Sequence, residues 1–126
     1  MRILLKSKIH RAHVTDSNID YEGSISIDEE LMQMADIHKY EKVSVWNVSN
    51  GSRFETYALP AEKGSGKIIV NGAAAKLAST GDIVIIASFA IAEDEKPFKP
   101  AIIYVDELNK HSNQRLHHGS RNLGNS

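Results

Sequence analysis

Apolar and polar residues alternate most clearly between positions 42 and 59, and this pattern predicts two strands joined by a tight turn. Val43, Val45 and Asn47 share one face of the first strand, because successive side chains of a strand point to opposite faces. Asn50-Gly51 follows, and this dipeptide is typical of the turn of a β-hairpin. The return strand places three side chains on one face: Arg53, Glu55 and Tyr57.

Five other segments of the chain have strand-like patterns. A long strand is predicted from Ile3 to Val14, although its alternation is imperfect. The nearly continuous apolar run from Asp82 to Ala92 predicts a central strand that is buried on both faces. Three shorter strands complete the set, at residues 24–27, 67–70 and 101–105.

Two short segments have helical patterns. Asp28 is a predicted N-cap, and Leu31, Met34 and Ala35 follow the i, i+3, i+4 spacing of a buried helix face. A second short helix is predicted after the Asn71-Gly72 turn, because alanines and other strong helix formers follow it.

These elements together indicate a mainly β fold. Six or seven strands, two short helices and no internal repeat favour a small closed β-barrel, because closure removes exposed sheet edges. A β-sandwich is the alternative for short strands at this spacing. Residues 1–106 are predicted to form one domain and residues 107–126 a polar, disordered tail. Residues 15–23 and the segment between Pro97 and Pro100 are predicted to be turns or loops.

Composition narrows the possible functions. The 126 residues carry a net charge of −1, which gives no electrostatic basis for binding nucleic acid. The chain has no cysteine, so disulfides, thiolate nucleophiles and cysteine-based zinc sites are excluded. The apolar run after Met1 is too short for a signal peptide, and no stretch approaches the roughly 20 apolar residues of a membrane helix. We therefore expect a cytoplasmic protein with no membrane partner.

The histidines do not indicate a metal site. His10 and His13 lie three residues apart on a predicted strand, so they are expected to face opposite sides of the sheet. His117 and His118 lie in the tail with no third ligand at a suitable spacing, whereas a metal site needs three or four convergent ligands. We therefore predict no bound metal.

Three features are weak candidates for chemistry when each is taken alone. Four Gly-Ser pairs begin at residues 23, 51, 64 and 119, and such a pair usually marks a turn. Arg53 suits carboxylate binding and Tyr57 suits proton donation, but an ordinary exposed sheet face has the same pattern. Backbone N–H groups from Gly72 to Ala74 are suited to an anion, although every helix start exposes such groups.

Taken together, the segments of this chain are far more specific, and they resemble the aspartate 1-decarboxylase family. The resemblance runs from about residue 2 to residue 106 without a large gap. Eight segments occur in the order and spacing of that family, namely residues 6–12, 21–24, 26–28, 46–51, 53–58, 64–66, 71–75 and 81–86.

This resemblance implies a double-psi β-barrel that assembles as a homotetramer, with active sites between neighbouring subunits. It implies conversion of L-aspartate to β-alanine and carbon dioxide, for the synthesis of pantothenate and coenzyme A. It also implies an inactive proenzyme that cuts itself between Gly23 and Ser24, whether unaided or with a helper protein. Ser24 then becomes a covalent pyruvoyl group, which forms a Schiff base with the substrate and replaces pyridoxal phosphate as the electron sink.

The resemblance also assigns roles to individual residues. Tyr57 corresponds to the proton donor, and Thr56 corresponds to a residue that holds the Gly23 carbonyl and contacts the substrate. Lys8 and Arg53 correspond to the cations that bind the substrate carboxylate. A substrate-binding loop of backbone donors corresponds to Gly72, Ala73 and Ala74. Positions in the pocket or directly behind it correspond to His10, Trp46 and Asn71.

The chemistry of self-cleavage explains why glycine and serine are needed at the junction. Gly23 has no β-carbon, so its peptide is expected to adopt a strained geometry that is open to attack. The Ser24 hydroxyl attacks the Gly23 carbonyl carbon, and β-elimination followed by hydrolysis leaves the pyruvoyl group and releases ammonia.

Two other classes of protein remain as alternatives. The first is a binding module that kept the barrel and lost the chemistry, which the complete set Ser24, Arg53, Thr56 and Tyr57 argues against. The second is a DNA-binding protein built on a related swapped-hairpin barrel, which the net charge of −1 argues against.

Overall fold

The computed structural model describes residues 1–93 and 99–112, which form nine strands, one α-helix and one 3-10 helix. The strands are β1 (Arg2–His13), β2 (Asp16–Asn18), β3 (Ser24–Asp28), β4 (Lys42–Asn47), β5 (Arg53–Ala61), β6 (Ile68–Asn71), β7 (Ile83–Ala92), β8 (Ala101–Val105) and β9 (His111–Ser112). Helix α1 is Glu29–Ala35, and the 3-10 helix is Gly72–Lys76.

The strands form one mixed sheet in the order β2-β6-β3-β5-β4-β7-β1-β8-β9. The pairs β1–β8, β2–β6 and β3–β5 are parallel, and the remaining neighbours are antiparallel. Buried side chains from β1 and from β3 to β8 join a single apolar cluster, so the sheet curves around one core as a small barrel does. The prediction of a mainly β barrel with short helices is confirmed.

The β4–β5 hairpin has the predicted faces. Val43, Val45 and Asn47 are buried, whereas Arg53 and Tyr57 on β5 are exposed. The hairpin was predictable because its pairing is local and Gly51, with φ 81°, occupies the left-handed backbone region that its turn requires.

The predicted helix stripe is partly wrong. Leu31 and Ala35 are buried, but Met34 is 36% exposed and Met32 is buried in its place. At 100° per residue, the predicted set Leu31, Met34 and Ala35 and the observed set Leu31, Met32 and Ala35 each span 100° of the helix circumference, so spacing alone does not distinguish them.

Strand β7 is buried on both faces only along its first half. Val84 and Ile86 are fully buried, but Phe89 is 43% exposed and Ile91 is 69% exposed. The prediction of a strand covered on both faces is therefore wrong beyond residue 88. Its outer face carries apolar side chains that no described residue covers, next to the exposed Ile3 of β1.

Two polar segments are more ordered than their composition predicts. Residues 15–23 contain β2, which pairs with β6. In the segment expected to begin the disordered tail, residues 107–112 form a turn and β9, and the side chain of Asn109 is fully buried. Asn109 accepts a hydrogen bond from His13 N at 2.7 Å and donates to the His13 and Gly66 carbonyls at 2.8 Å.

The division into a domain and a tail at residue 106 stays a prediction. Residues 113–126, including His117 and His118, lie outside the described residues, and so does Pro97. No helix in the described part of the chain is long and apolar enough to cross a membrane.

A buried carboxylate fastens the end of β3 next to α1. Asp28 accepts hydrogen bonds from the backbone N–H groups of Glu30, Gly64 and Gly66, each at 2.8 Å. Burial alone raises the pKa of Asp28, but these donors, with help from the charge of Lys110, hold that pKa below its usual value. Asp28 is therefore a structural cap that fixes the residue 64–66 turn.

Candidate active site

Ser24 is the first residue of β3, and its side chain is fully buried. Ile25 and Ile27 point into the core, so Ser24 and Ser26 point to the opposite face of the strand. Asn71 lies directly across the antiparallel β3–β6 pair from Ser24. Its side-chain amide donates to Ser24 Oγ at 3.0 Å and to Ser26 Oγ at 3.2 Å.

Strand β5 brings Tyr57 and Thr56 to the other side of β3. In the parallel β3–β5 pair, Ile25 is aligned with Ala58. Ser24 and Tyr57 each precede these residues by one position, so they lie side by side on the opposite face of the two strands. Tyr57 is 37% exposed and remains open to a ligand. Thr56 points to the opposite face of β5 and is half-buried. The sheet therefore brings Ser24, Asn71 and Tyr57 together from three adjacent strands.

Gly72 lies directly against the chain at the proposed cleavage point. Its φ is 75°, and a β-carbon there would lie 2.7 Å from Gly23 Cα and 3.1 Å from the Tyr21 carbonyl oxygen. By contrast, a β-carbon on Gly23 would meet nothing within 4 Å, and Gly23 is not one of the residues with positive φ. Gly23 therefore has neither a left-handed backbone conformation nor a close approach that requires glycine, whereas residue 72 has both.

Substitution at Gly72 tests this contact. In a Ser24→Ala background, which keeps the chain uncut, we expect Gly72→Ala to destabilise the protein more than Gly51→Ala does. Both residues have positive φ, so both variants lose about 1–2 kcal/mol from the left-handed conformation. Only Gly72 has backbone atoms in the way, and overpacking of this kind costs about 1–3 kcal/mol more.

The measurement is urea denaturation of the two variants beside the Ser24→Ala parent. Gly51 is a matched control because a β-carbon there meets nothing within 4 Å. Equal losses of unfolding free energy at the two positions would contradict the prediction. They would show that the turn before Ser24 shifts to accommodate a β-carbon at residue 72.

The rest of the predicted loop forms a single 3-10 turn, Gly72–Lys76, in place of the expected helix of strong formers. Ala73 is exposed, and Ala74 packs against the core. The turn starts directly after Asn71, so its first residues lie beside Ser24.

The predicted cationic residues lie at a distance from this group within one chain. Arg53 stands four residues before Tyr57 on β5, which corresponds to about 13 Å along the strand. Its guanidinium lies over the Trp46 ring, 5.0 Å from the ring centre. Lys8 is on β1, four strand-to-strand steps from β3 in the sheet order. Within the described residues, the cations Arg53 and Lys8 therefore lie apart from Ser24, Asn71 and Tyr57.

A β-bulge changes the orientation of the histidines on β1. Between Ile9 and Ala12, strand β1 has one residue more than β7, and Arg11 takes a φ of 64°. Ile9 and Ala12 both point into the core, so His10 and His13, which follow them, both point away from it. The expectation that the two histidines face opposite sides is wrong, because the strand pattern does not reveal the bulge.

No group of three or more His, Asp or Glu side chains in residues 1–93 and 99–112 is arranged to hold a metal ion. His10 stacks edge-on against Tyr104, with ring centres 5.3 Å apart. An open groove of about 420 Å³ lies on the outer face, lined by residues that include Lys42, Glu55 and Phe89, and Ser24 is not in its lining.

Comparison with known proteins identifies the family. A family model described as aspartate decarboxylase matches residues 1–112. This chain belongs to the aspartate decarboxylase family. The match to the family also includes the residue 107–112 turn that the sequence pattern assigned to a tail.

Three relatives within this family illustrate the similarity, and each is an aspartate 1-decarboxylase. The protein of Thermoanaerobacter pseudethanolicus is 59% identical over 86% of this chain and 95% of its own length. That of Methylobacillus flagellatus is 53% identical over 92% and 94%. That of Acetivibrio thermocellus is 56% identical over 85% and 86%.

Among solved structures, the computationally designed protein msDPBB_sym2 superimposes with a TM-score of 0.42 at 19% identity, over 68% of this chain and 96% of its own. A likeness this weak supports no conclusion about the family's chemistry.

Sequence patterns did not reveal two contacts in the Ser24 group. The first is the bond from Asn71 to Ser26, which needs the β3–β6 register to be known. The second is the contact of Gly72 with Gly23. The Asn71-Gly72 pair indicated a turn, but it did not indicate that this turn contacts Gly23.

Proposed function

We propose that this chain decarboxylates L-aspartate to β-alanine and carbon dioxide after it cuts itself between Gly23 and Ser24. Membership of the family supports this activity. The observation that supports the proposal in atomic detail is the Ser24 hydroxyl. It is buried, it accepts a hydrogen bond from the Asn71 amide, and it belongs to the residue that directly follows Gly23. A buried serine in this position serves as an internal nucleophile that solvent does not reach.

The cleavage step uses only groups of the chain and one water molecule. Ser24 Oγ bonds to the Gly23 carbonyl carbon, the peptide bond to Ser24 N breaks, and an ester results. Elimination then removes the Ser24 Cα proton and breaks the Cβ–Oγ bond, so the oxygen leaves as part of the new Gly23 carboxylate and a Cα=Cβ double bond forms. This enamine takes up a proton at Cβ to become an imine, and water adds to Cα, so the nitrogen departs as ammonia and a ketone remains. Because Oγ accepts from Asn71, its own hydrogen is directed elsewhere and is available to a base.

Thr56 and Tyr57, which are neighbours on β5, have different proposed roles. We assign Thr56 to hold the Gly23 carbonyl during cleavage and later to contact the substrate, because the β3–β5 register continues from Ala58 back towards it. The pyruvoyl group derived from Ser24 supplies the electron sink for decarboxylation, without metal or pyridoxal phosphate. Tyr57 is open to the ligand and donates a proton to the carbon that has lost carbon dioxide.

We propose that a second copy of the chain brings the cations to Ser24. Arg53 lies about 13 Å along β5 from Tyr57, and the exposed apolar residues Ile3, Phe89 and Ile91 lie on the outer sheet face. We propose a homotetramer in which Lys8, Arg53, Trp46 and His10 of one copy complete the site around Ser24 of its neighbour. The backbone N–H groups of Gly72, Ala73 and Ala74 then bind a substrate carboxylate. A cytoplasmic location remains a prediction.

Removal of Arg53 should weaken catalysis without affecting cleavage. One substrate carboxylate persists in β-alanine and needs a fixed anchor, which a guanidinium provides with two hydrogen bonds. We expect Arg53→Ala to lower kcat/KM by at least about 30-fold, which corresponds to about 2 kcal/mol. Arg53→Lys should recover only part, because it keeps the charge and loses the second hydrogen bond.

Both variants are measured on fully cleaved protein, since no substrate is present when the chain cuts itself. The control is Lys67→Ala, which removes an exposed cation that is not assigned to the site and should leave kcat/KM unchanged. A kcat/KM for Arg53→Ala within about threefold of wild type would place the carboxylate anchor elsewhere.

Mixing two defective variants tests whether sites are shared between copies. Arg53→Ala and Tyr57→Phe are co-expressed so that both kinds of subunit enter one assembly. If Arg53 serves the Ser24 of a neighbour, about a quarter of the sites receive both intact residues by random pairing. Activity should then rise well above the average of the separate variants. No rise would place both residues of a site in one chain.

A further inference from the structure

Ser26 shares the side-chain amide of Asn71 with Ser24. The two N–H donors of the Asn71 amide are enough for both hydroxyls, and the contacts of 3.0 Å to Ser24 Oγ and 3.2 Å to Ser26 Oγ are of hydrogen-bonding length. Asn71 is itself buried, so an N–H that lost its acceptor would have little access to water. The uncut chain therefore holds this amide at two points.

Self-cleavage removes one of these two points. In the proposed reaction, which this inference rests on, the Ser24 Cβ–Oγ bond breaks and the oxygen leaves with the Gly23 carboxylate. Ser26 Oγ is not involved in that reaction, and it stays on the same strand two residues further along. After cleavage, Ser26 is therefore the acceptor that remains for the Asn71 amide.

We propose that Ser26 is a positioning residue that keeps the Asn71 amide directed at position 24 after Ser24 Oγ has gone. One N–H stays bound to Ser26, and the other is left facing the group that replaces the Ser24 side chain. The role of Ser26 thus begins when the cleavage role of Ser24 ends. Before cleavage, Ser24 Oγ also accepts from the amide, so loss of the Ser26 hydroxyl should have less effect at that stage.

This timing separates Ser26 from a residue that merely supports the fold. Ser26→Thr keeps the hydroxyl, and Ser26→Val has the same shape without it, so this pair isolates the hydrogen bond. We expect both variants to cut themselves within about threefold of the wild-type rate. On fully cleaved protein, we expect Ser26→Val to lower kcat about fivefold to tenfold, the size of one lost hydrogen bond, with KM nearly unchanged. Ser26→Thr should retain most of kcat.

Three readouts are used: the rate of fragment formation by mass, kcat and KM with L-aspartate, and the rate at which phenylhydrazine labels position 24. The labelling rate reports the surroundings of the new carbonyl without catalysis. We expect it to change in Ser26→Val and to stay near wild type in Ser26→Thr.

Several outcomes overturn the proposal. If kcat of Ser26→Val is within twofold of wild type, Ser26 does not position the Asn71 amide. The same conclusion follows if Ser26→Thr and Ser26→Val lose kcat equally. Loss of cleavage in Ser26→Val with normal cleavage in Ser26→Thr would assign the hydroxyl to processing instead. If the wild-type chain stays uncut and inactive, the proposed function fails and this role fails with it. A cut, active wild type with unchanged Ser26→Val overturns the role of Ser26 alone.

Discussion

Replacement of Ser24 with alanine should leave a single uncut chain that has no decarboxylase activity. In the proposed reaction, Ser24 Oγ attacks the Gly23 carbonyl carbon and then leaves with Gly23, so no neighbouring hydroxyl replaces it. The nearest alternative, Ser26 Oγ, lies two residues further along and is bound to the same amide. Alanine is smaller than serine and adds no atom to the buried position, so the fold should be retained.

Mass measurement under denaturing conditions tests this result. Wild-type protein should give residues 1–23 and a 103-residue fragment, 24–126, that resists Edman sequencing because its first residue has no free amine. Ser52→Ala is the matched control, since it changes another Gly-Ser pair, in the hairpin turn. An uncut Ser24→Ala chain with full activity would be incompatible with the proposed mechanism.

The second large effect should come from Tyr57. Tyr57→Phe keeps the ring and its contact with the Tyr40 ring, whose centre is 6.3 Å away, so folding and cleavage should be nearly normal. Loss of the hydroxyl removes the proposed proton donor, and activity should fall about 100-fold or more, the usual scale for a positioned general acid.

Steady-state kinetics on fully cleaved protein measures this loss. Tyr40→Phe provides the control, because it removes a hydroxyl from the other ring of the same pair, which is 66% exposed. Equal turnover in Tyr57→Phe and wild type would assign proton donation to another group.

Thr56 should give the opposite result to its neighbour. Thr56→Val keeps the shape of the side chain and removes the hydroxyl that is assigned to the Gly23 carbonyl. We therefore expect little or no cleavage, seen as a single mass for the whole chain. Normal cleavage with reduced turnover would restrict Thr56 to substrate binding.

Local pattern was enough to predict the hairpin that carries Arg53 and Tyr57. Its strands are joined by one turn, and every pairing lies within 16 residues. The β3–β6 pair is different, because Ser24 and Asn71 are 47 residues apart and neither segment encodes its partner. Only the resemblance to a family connected them from the sequence. The role of each residue remains a prediction that the variants test.

Three other features could not be predicted from the sequence pattern, each for a physical reason. The bulge at Arg11 requires a backbone conformation that arginine rarely adopts, so no residue preference predicts it. The structured turn at Asn109 is polar, and composition alone cannot distinguish a buried asparagine with three hydrogen bonds from a solvated one. The exposed apolar residues of β7 were predicted to be buried, because an exposed apolar surface and a buried one have the same composition.

The position of β1 gives cleavage a thermodynamic consequence. Residues 1–23 include β1, which lies between β7 and β8 and supplies the fully buried Ile9 and Ala12. Once the Gly23–Ser24 bond is broken, this strand is held only by non-covalent contacts. Unfolding of a mature protomer then separates two molecules, so its midpoint depends on protein concentration. Refolding becomes an encounter between fragments that no longer share a covalent connection, whereas the proenzyme refolds as one chain.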